Sequence, residues 1–288
     1  MPRIPQLAIV GSINIDLIAR TATLPRPGET IGDGAFNRLP GGKGANQAVA
    51  AAALGVPVRM IGAVGNDADG ELARATLVAA GVDTSAVRTV AEPTGVALIG
   101  IDAAGENQIS VCPGANSAVT VEADALGAGE AVLVQLEVPM AAVVSAARAC
   151  TGFFAVNAAP AADLPTEILE RADLVIVNES EFAAIPALSG ALAATGQRPG
   201  PLVAVSLGAD GAKLLRDGVE IARASSRATE VRSTVGAGDA FCAALVAALL
   251  SGAEEGEALA AACAVGAAAV ADERSQPELQ PLAAYLVR

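Results

Sequence analysis

The stretch RSTVGAGDAF, Arg232 to Phe241, sets three small residues, Gly236, Ala237 and Gly238, directly ahead of an acid, Asp239, which opens the apolar run AFCAALVAALL. Helix N-termini favour anions, because unpaired backbone N–H groups and the macrodipole make them locally positive. An aspartate there can simply cap or charge a helix start. A run of small residues before it does something further: it lets the backbone approach a ligand closely and turns several N–H groups toward one point. The stretch therefore supports two readings, a structural helix start or an anion hole with an adjacent base.

Three other stretches carry polar groups at turns. LPGGKGANQAVA, Leu39 to Ala50, is a glycine-rich turn opening a helix, but it is neither GxGxxG nor GxxxxGK[ST], so the dinucleotide and P-loop fingerprints fail. It reads either as a tight turn with a solvated lysine or as a close backbone approach to a polar ligand, with Lys43 and Asn46 aimed inward. VNESEF, Val177 to Phe182, places acids on the first turn of a helix after a strand. Glu179 fits helix-dipole compensation, whereas Asn178 and Glu181 could organise the waters of a magnesium ion and nucleotide phosphates, since magnesium keeps water and takes few carboxylates. SLGADGAKLL, Ser206 to Leu215, reads as strand, turn and strand, generic alone but a candidate nucleotide floor beside an anion hole.

The elements that position these residues follow from composition and pattern. The chain has 288 residues, 53% hydrophobic and 17% charged, enough to bury a sizeable core and too apolar for disorder. Its net charge of −13, with no strongly basic run, argues against nucleic-acid binding. The start MPRIPQLAIVGS lacks the pattern of a signal peptide, and the apolar runs fall short of a membrane span. Cys112, Cys150, Cys242 and Cys263 have neither zinc-site nor disulfide spacing, so a reduced, cytoplasmic location is expected. The chain has no histidine, which removes the commonest general base and leaves proton transfer to carboxylates, lysine, cysteine or Tyr285.

Strand-length apolar runs recur: LAIVGSI, VRMIGAVG, AVLVQLE, FFAVNAA, LVIVN and LVAVSLG. Near-continuous Val, Ile and Leu fits strands buried on both faces of a parallel sheet. Ala-rich helical segments lie between them, so the expected fold class is α/β, an open, mostly parallel sheet flanked by helices on both faces. NIDLIARTATLPRPGETIGDGAF and TGVALIGIDAAGENQISVCPGAN break that rhythm as hairpin-like strand pairs and are expected to form a small β-sheet lid over the ligand edge. Uncovered lid edges would be protected by pairing two lids in a homodimer. LSGALAATGQRPGP reads as a loop. Ligands of open α/β sheets sit beyond the strands' carboxyl ends, where Asn14, Asp16, Glu137, Asn157, Asn178, Glu181, Ser206 and Gly208 cluster.

With these residues in place a resemblance appears. GSINIDLIA, RPGETI, GGKGANQAVAAAALG, GND, PTGVAL, PGAN, QLEVP, NAAPA, NESE, SLGADG and STVGAGDAF resemble, in that order, the ribokinase branch of the PfkB carbohydrate-kinase family, from about Val10 to about Pro277. The resemblance implies one ribokinase-like α/β domain over 1–288, with a lid from segments about 14–40 and 94–113, and ATP-dependent phosphorylation of a sugar, foremost the 5-hydroxyl of D-ribose. It implies that Asn14, Asp16, Gly42, Lys43, Asn46 and Glu137 hold the sugar and that Asp239 is the general base. Gly236, Ala237 and Gly238 would form the anion hole, Asn178, Ser206, Gly208, Gly211 and Gly238 would line the ATP side, and Glu181 would bind Mg²⁺ through water. The partners implied are a small sugar and ATP, with no nucleic acid and no membrane, in a homodimer built through the lid.

One departure concerns potassium. Family members commonly carry Asp where this chain has Ser233, and the loop ADERSQP carries Asp272, Glu273 and Arg274 where small residues are usual. A monovalent-cation site would involve Ser233, Val235, Val270, Glu273 and Ser275, and the expectation is weakened or absent potassium activation, with Arg274 supplying positive charge instead. Cys112 and Cys263 read as small apolar packing. The competing functions are a related kinase of another pentose, a deoxysugar or a nucleoside, and a catalytically silent sugar sensor. Aromatics at 2% of the chain favour a free sugar over a nucleoside.

Overall fold

The computed structural model describes residues 4–189, 200–227 and 230–286. The first half runs β1 (Leu7–Val10), β2 (Asn14–Arg20), β3 (Ala35–Gly41), α1 (Lys43–Ala53), β4 (Val58–Gly65), α2 (Ala68–Ala79), β5 (Val87–Val90), β6 (Gly95–Ile101) and β7 (Asn107–Cys112). It continues through β8 (Ala131–Gln135), α3 (Met140–Ala149), β9 (Phe154–Asn157), α4 (Thr166–Arg171), β10 (Leu174–Asn178), α5 (Glu179–Ala184) and α6 (Pro186–Ser189). The last part holds β11 (Leu202–Ser206), β12 (Ala212–Arg216), β13 (Val219–Ala224), α7 (Ala237–Leu250) and α8 (Glu255–Val270).

The main sheet has the order β13-β12-β11-β10-β9-β8-β1-β4-β5. Strands β5 to β11 in that order pair in parallel, and β12 and β13 add an antiparallel edge. The six apolar runs of the sequence are the six inner parallel strands. Alternation along each strand feeds two cores: Leu7 and Ile9 of β1 pack with α1, α7 and α8, while Ala8 and Val10 pack with α3 and α4. Helix α7 is buried from Asp239 to Ala248, which explains why its sequence is apolar all round. The edge strands β5 and β13 went unread in the sequence. In β13 Val219 and Ile221 are exposed, so its apolar residues do not mark a core.

The two hairpin-like segments form a second sheet, β3-β2-β6-β7, with β2 and β6 parallel at its centre. The second hairpin turns where AAGEN predicted, with Gly105 N–H donating to the Asp102 carbonyl. The lid is tied to the main sheet at one corner. Asp67 caps α2 by accepting from Gly70 N–H (2.7 Å) and also accepts from the backbone N–H (2.8 Å) and hydroxyl (2.6 Å) of Thr94, just before β6.

Two expectations are corrected. The stretch LSGALAATGQRPGP begins inside α6 rather than in a loop, and its residues 190–199 lie outside those described. Cys112 ends the edge strand β7 exposed and so does not pack in a core, whereas Cys263 is buried as expected.

Candidate active site

The helix after VGAG starts at Ala237, with Gly236 ahead of it in the left-handed region at φ 79°. A side chain on Gly236 would meet the Ser275 carbonyl oxygen at 1.9 Å, so both conformation and space require glycine. Asp239 is the third helical residue and caps nothing. Its carboxylate is buried and accepts from Asn46 Nδ2 at 3.1 Å and from Gln47 Nε2 at 3.0 Å, the fourth and fifth residues of α1. A surface cap would face water, so Asp239 does not serve as one.

The candidate sugar side lies where β1 ends and α1 begins. Gly42, at φ 90°, passes so near the Ser12–Asn14 backbone that a Cβ would lie 2.7 Å from Asn14 N. That close approach sets α1 directly beside Ser12, Asn14 and Glu137. Glu137 accepts from the Ser12 hydroxyl (2.5 Å) and from Lys43 N–H (3.2 Å) at the helix start. Asn14 Oδ1 accepts from Asn116 Nδ2 at 2.7 Å. Asp16 lies buried on β2 against Gly41, where a Cβ would sit 2.2 Å from its carboxylate. Burial, with Glu137 and Asp239 as further negative charges, pushes the Asp16 carboxyl up to about 7. Burial drives the Lys43 ammonium the other way, but Asp239 and Glu137 outweigh it and leave the lysine raised.

Beyond Asp239 two adjoining cavities open. The smaller, about 270 Å³, is bordered by Lys43, Asn178, Glu181, Gly236, Gly238 and Asp239. The larger, about 610 Å³, is bordered by Ser206, Gly208, Gly211, Ala237, Gly238 and Cys263 among others. Gly211, at φ 97°, sits with its Cα against the Ala224 carbonyl, where a Cβ would come within 2.0 Å. The arrangement is a linear one: a polar cluster, a buried carboxylate, a small cavity at a helix N-terminus, then a roomier and more apolar chamber.

A comparison of the sequence with family models matches the pfkB family carbohydrate kinase over residues 5–281. The chain belongs to the pfkB family of carbohydrate kinases. The ribokinase of Haemophilus influenzae is 38% identical over 184 residues, 61% of this chain and 60% of that protein, so the match spans less than two thirds of that relative. The ribokinase of Bacillus subtilis is 37% identical over 259 residues, covering 85% of this chain and 86% of the relative. The solved structure of Arabidopsis thaliana ribokinase complexed with ribose and ATP superposes with a TM-score of 0.83 at 30% identity, over 98% of this chain and 97% of that one.

Asn178 and Glu181 form a reciprocal capping box: Asn178 Oδ1 accepts from Glu181 N–H and Glu181 Oε2 from Asn178 N–H, each at 2.8 Å. Both residues still border the smaller cavity. Among the described residues no cluster of three or more metal-ligating side chains exists. Two carboxylates, Glu181 and Asp239, border this space, too few for a protein cage and suited to magnesium held through water and substrate phosphates.

Among the potassium candidates, the Ser275 carbonyl lies against Gly236 and Ser233 is hydrogen-bonded to both Val270 and Val235. Val270 O already accepts from Arg232 N–H (2.8 Å) and Ser233 N–H (3.2 Å), which occupies both lone pairs. Ser233 Oγ accepts from Val235 N–H, Ser275 Oγ donates to Pro40 O, and Glu273 is exposed. Arg274 does not supply the substitute charge expected of it. Its guanidinium pairs with Asp272 (2.6 Å) and Glu278 (2.8 Å) on the exposed side of the loop.

Several site residues escaped the sequence reading: Ser12, Gly41, Gln47, Asn116, Gln135 and Gln276. Gly41 has a visible signal, the glycine doublet ahead of Lys43. The amides had none, because glutamine and asparagine in apolar segments announce no chemistry and their partners lie up to 230 residues away.

Proposed function

We propose that this chain transfers the γ-phosphoryl group of ATP to a free pentose, with the 5-hydroxyl of D-ribose as acceptor. The observation that carries the reading is the position of Asp239, buried between the polar cluster of α1 and β2 on one side and a helix N-terminus bordering a cavity on the other. Asp16, Asn14, Asn46 and Glu137 hold sugar hydroxyls, and a missing hydroxyl would leave buried groups unpaired, which discriminates strongly between sugars. With Asn14 Oδ1 taken by Asn116, its amide nitrogen is the donor left for the sugar. Asp239 accepts the proton of the attacking hydroxyl. The N–H groups at the start of α7 and the Lys43 ammonium stabilise charge on the transferring group, where phosphoryl transfer needs fixed donors. Glu181 would hold magnesium through water, and the ion would supply neutralisation of phosphate charge. The larger chamber takes the nucleoside.

The relatives named as ribokinases and the ribose and ATP complex of one of them support this sugar and this nucleotide. The Val270 carbonyl, occupied by two N–H groups, supports turnover that does not depend on potassium. The exposed apolar residues of the lid support a dimer through it. No helix among the described residues is long and apolar enough to cross a membrane. The test is ADP release from ATP and Mg²⁺ over ribose, deoxyribose, other pentoses, fructose and nucleosides, each with and without potassium. Turnover highest with ribose is the expected result. Turnover highest with another member reassigns the substrate, and ribose binding without any turnover overturns the enzyme reading.

A further inference from the structure

The Asp239 carboxylate is held from behind by two chains of side-chain amides that meet on its two oxygens. Gln135 Nε2 donates to Gln47 Oε1 at 2.6 Å, and Gln47 Nε2 donates to Asp239 Oδ1 at 3.0 Å. On the other side Gln276 Nε2 donates to Asn46 Oδ1 at 3.2 Å, and Asn46 Nδ2 donates to Asp239 Oδ2 at 3.1 Å. In each chain a glutamine fixes the carbonyl end of the next amide. That leaves only the amide's nitrogen to face the carboxylate, because a flipped amide would set oxygen against the carboxylate oxygen at one end and nitrogen against nitrogen at the other.

In the first chain Gln47 has no spare donor. Gln47 spends its second N–H on Asn157 Oδ1 (3.0 Å), and Asn157 donates in turn to the Ile176 carbonyl (3.2 Å). Gln47, Gln135 and Asn157 are all buried. At its far end Gln135 Oε1 is a buried acceptor without a hydrogen-bond partner, packed on Gly11 where a Cβ would lie 1.8 Å away. An unpaired buried acceptor costs stability, and in a native fold it calls for an explanation. Core packing does not supply one, since a methionine would fill the same space without the cost.

We propose that Gln135 and Gln47 are positioning residues: together they lock the amide that holds Asp239 Oδ1 and so fix the plane of the carboxylate toward the acceptor hydroxyl. The inference rests on Asp239 being the base of the sugar kinase proposed above. One oxygen of the base is tied to β8 and the other to the loop after α8 through Gln276. The lone pairs not used by these amides remain for the hydroxyl proton. A carboxylate held by one amide alone is free to rotate, and a small misplacement of a catalytic group costs roughly 10²-fold in rate.

Gln135→Met separates this role from a structural one. It removes both the donor to Gln47 and the unpaired acceptor, while keeping length and volume. The expected result is kcat lowered roughly 10- to 100-fold, unchanged sugar affinity by calorimetry, and a melting temperature equal to or above that of the parent protein. Gln47→Met should lower kcat at least as much. A kcat within twofold of the parent for Gln135→Met, or a loss of rate matched by an equal loss of sugar affinity, overturns the proposal. Crystal structures of both variants give a readout that needs no turnover: a rotated or twofold-disordered Asp239 carboxylate is expected, and an unmoved carboxylate in both overturns it. Turnover by the parent protein tests the kinase reading separately, so the two can fail independently.

Discussion

Asp16 is the residue at which burial and charge pull hardest against function. Its carboxyl is raised from 3.8 to about 7 by burial first and by Glu137 and Asp239 after it. A carboxyl raised on folding contributes stability that is complete below 3.8 and is lost as the pH rises through about 7. Asp16→Asn should therefore be near neutral for the sugar-free protein at about pH 4 and stabilising at about pH 8, read by thermal denaturation. A stabilisation that shrinks with rising pH would contradict the assignment. Function runs the other way, because Asn14 and Asp16 are proposed to hold hydroxyls and only the ionised carboxylate accepts from two of them. At the same scale Asp239→Asn should lower kcat by about 10²–10⁴-fold with sugar binding kept, measured by ADP release and calorimetry side by side. Asp239, Asn46 and Asp16 were legible in the sequence because an acid after three small residues, or polar groups after a strand, invite a chemical reading. The glutamines that hold them were not, since nothing local marks residue 47 as the partner of residue 239.

The elements of the main sheet were legible because both faces are buried, so each inner strand is an unbroken apolar run. The lid hairpins were legible from alternation and the turn at Gly105. What pattern could not show is how the lid is anchored, since the anchor is one threonine, bonded through its backbone N–H and its hydroxyl. Thr94 Oγ1 accepts from the buried Gly65 N–H at 2.9 Å and donates to Asp67 at 2.6 Å, joining the end of β4, the cap of α2 and the start of β6. Thr94→Val keeps the shape and orphans the Gly65 N–H, so it should cost about 1–3 kcal/mol of stability in denaturant unfolding. The sugar KM should rise as well, because Asp16 on β2 pairs in register with Ala97 on β6. The loop after α8 gives a second prediction of this scale. The Val270 carbonyl, where α8 runs into this loop, already accepts from the Arg232 and Ser233 N–H groups, so adding potassium should leave kcat and KM nearly unchanged in the ADP-release assay. Strong saturable activation would show that those bonds yield to the ion.

Across the whole molecule the lid is the part whose sequence makes least sense for a single chain. Strand β7 is exposed along its full length and yet carries Ile109 and Val111, 55% and 46% exposed. Register places Ile109 opposite Ile99 and Val111 opposite Ala97, so both extend the face that carries Ile18, Ala97 and Ile99. Asp16 lies on that face too, in register with Leu39 and Ala97. A second lid seated there would cover the apolar residues and lie over the edge of the sugar cluster, linking assembly to substrate retention. Charges buried at such a contact without partners are costly, so Ile109→Asp with Val111→Asp should turn a dimer into a monomer by light scattering. Because both residues are exposed in the single chain, its melting temperature should hold once the dissociation of the dimer is accounted for. The sugar KM should rise in the monomer while the Asp239-dependent step, remote from β7, continues. A parent protein that is monomeric at all concentrations, or a double variant that remains dimeric, would remove the lid from the interface and leave these exposed residues without that role.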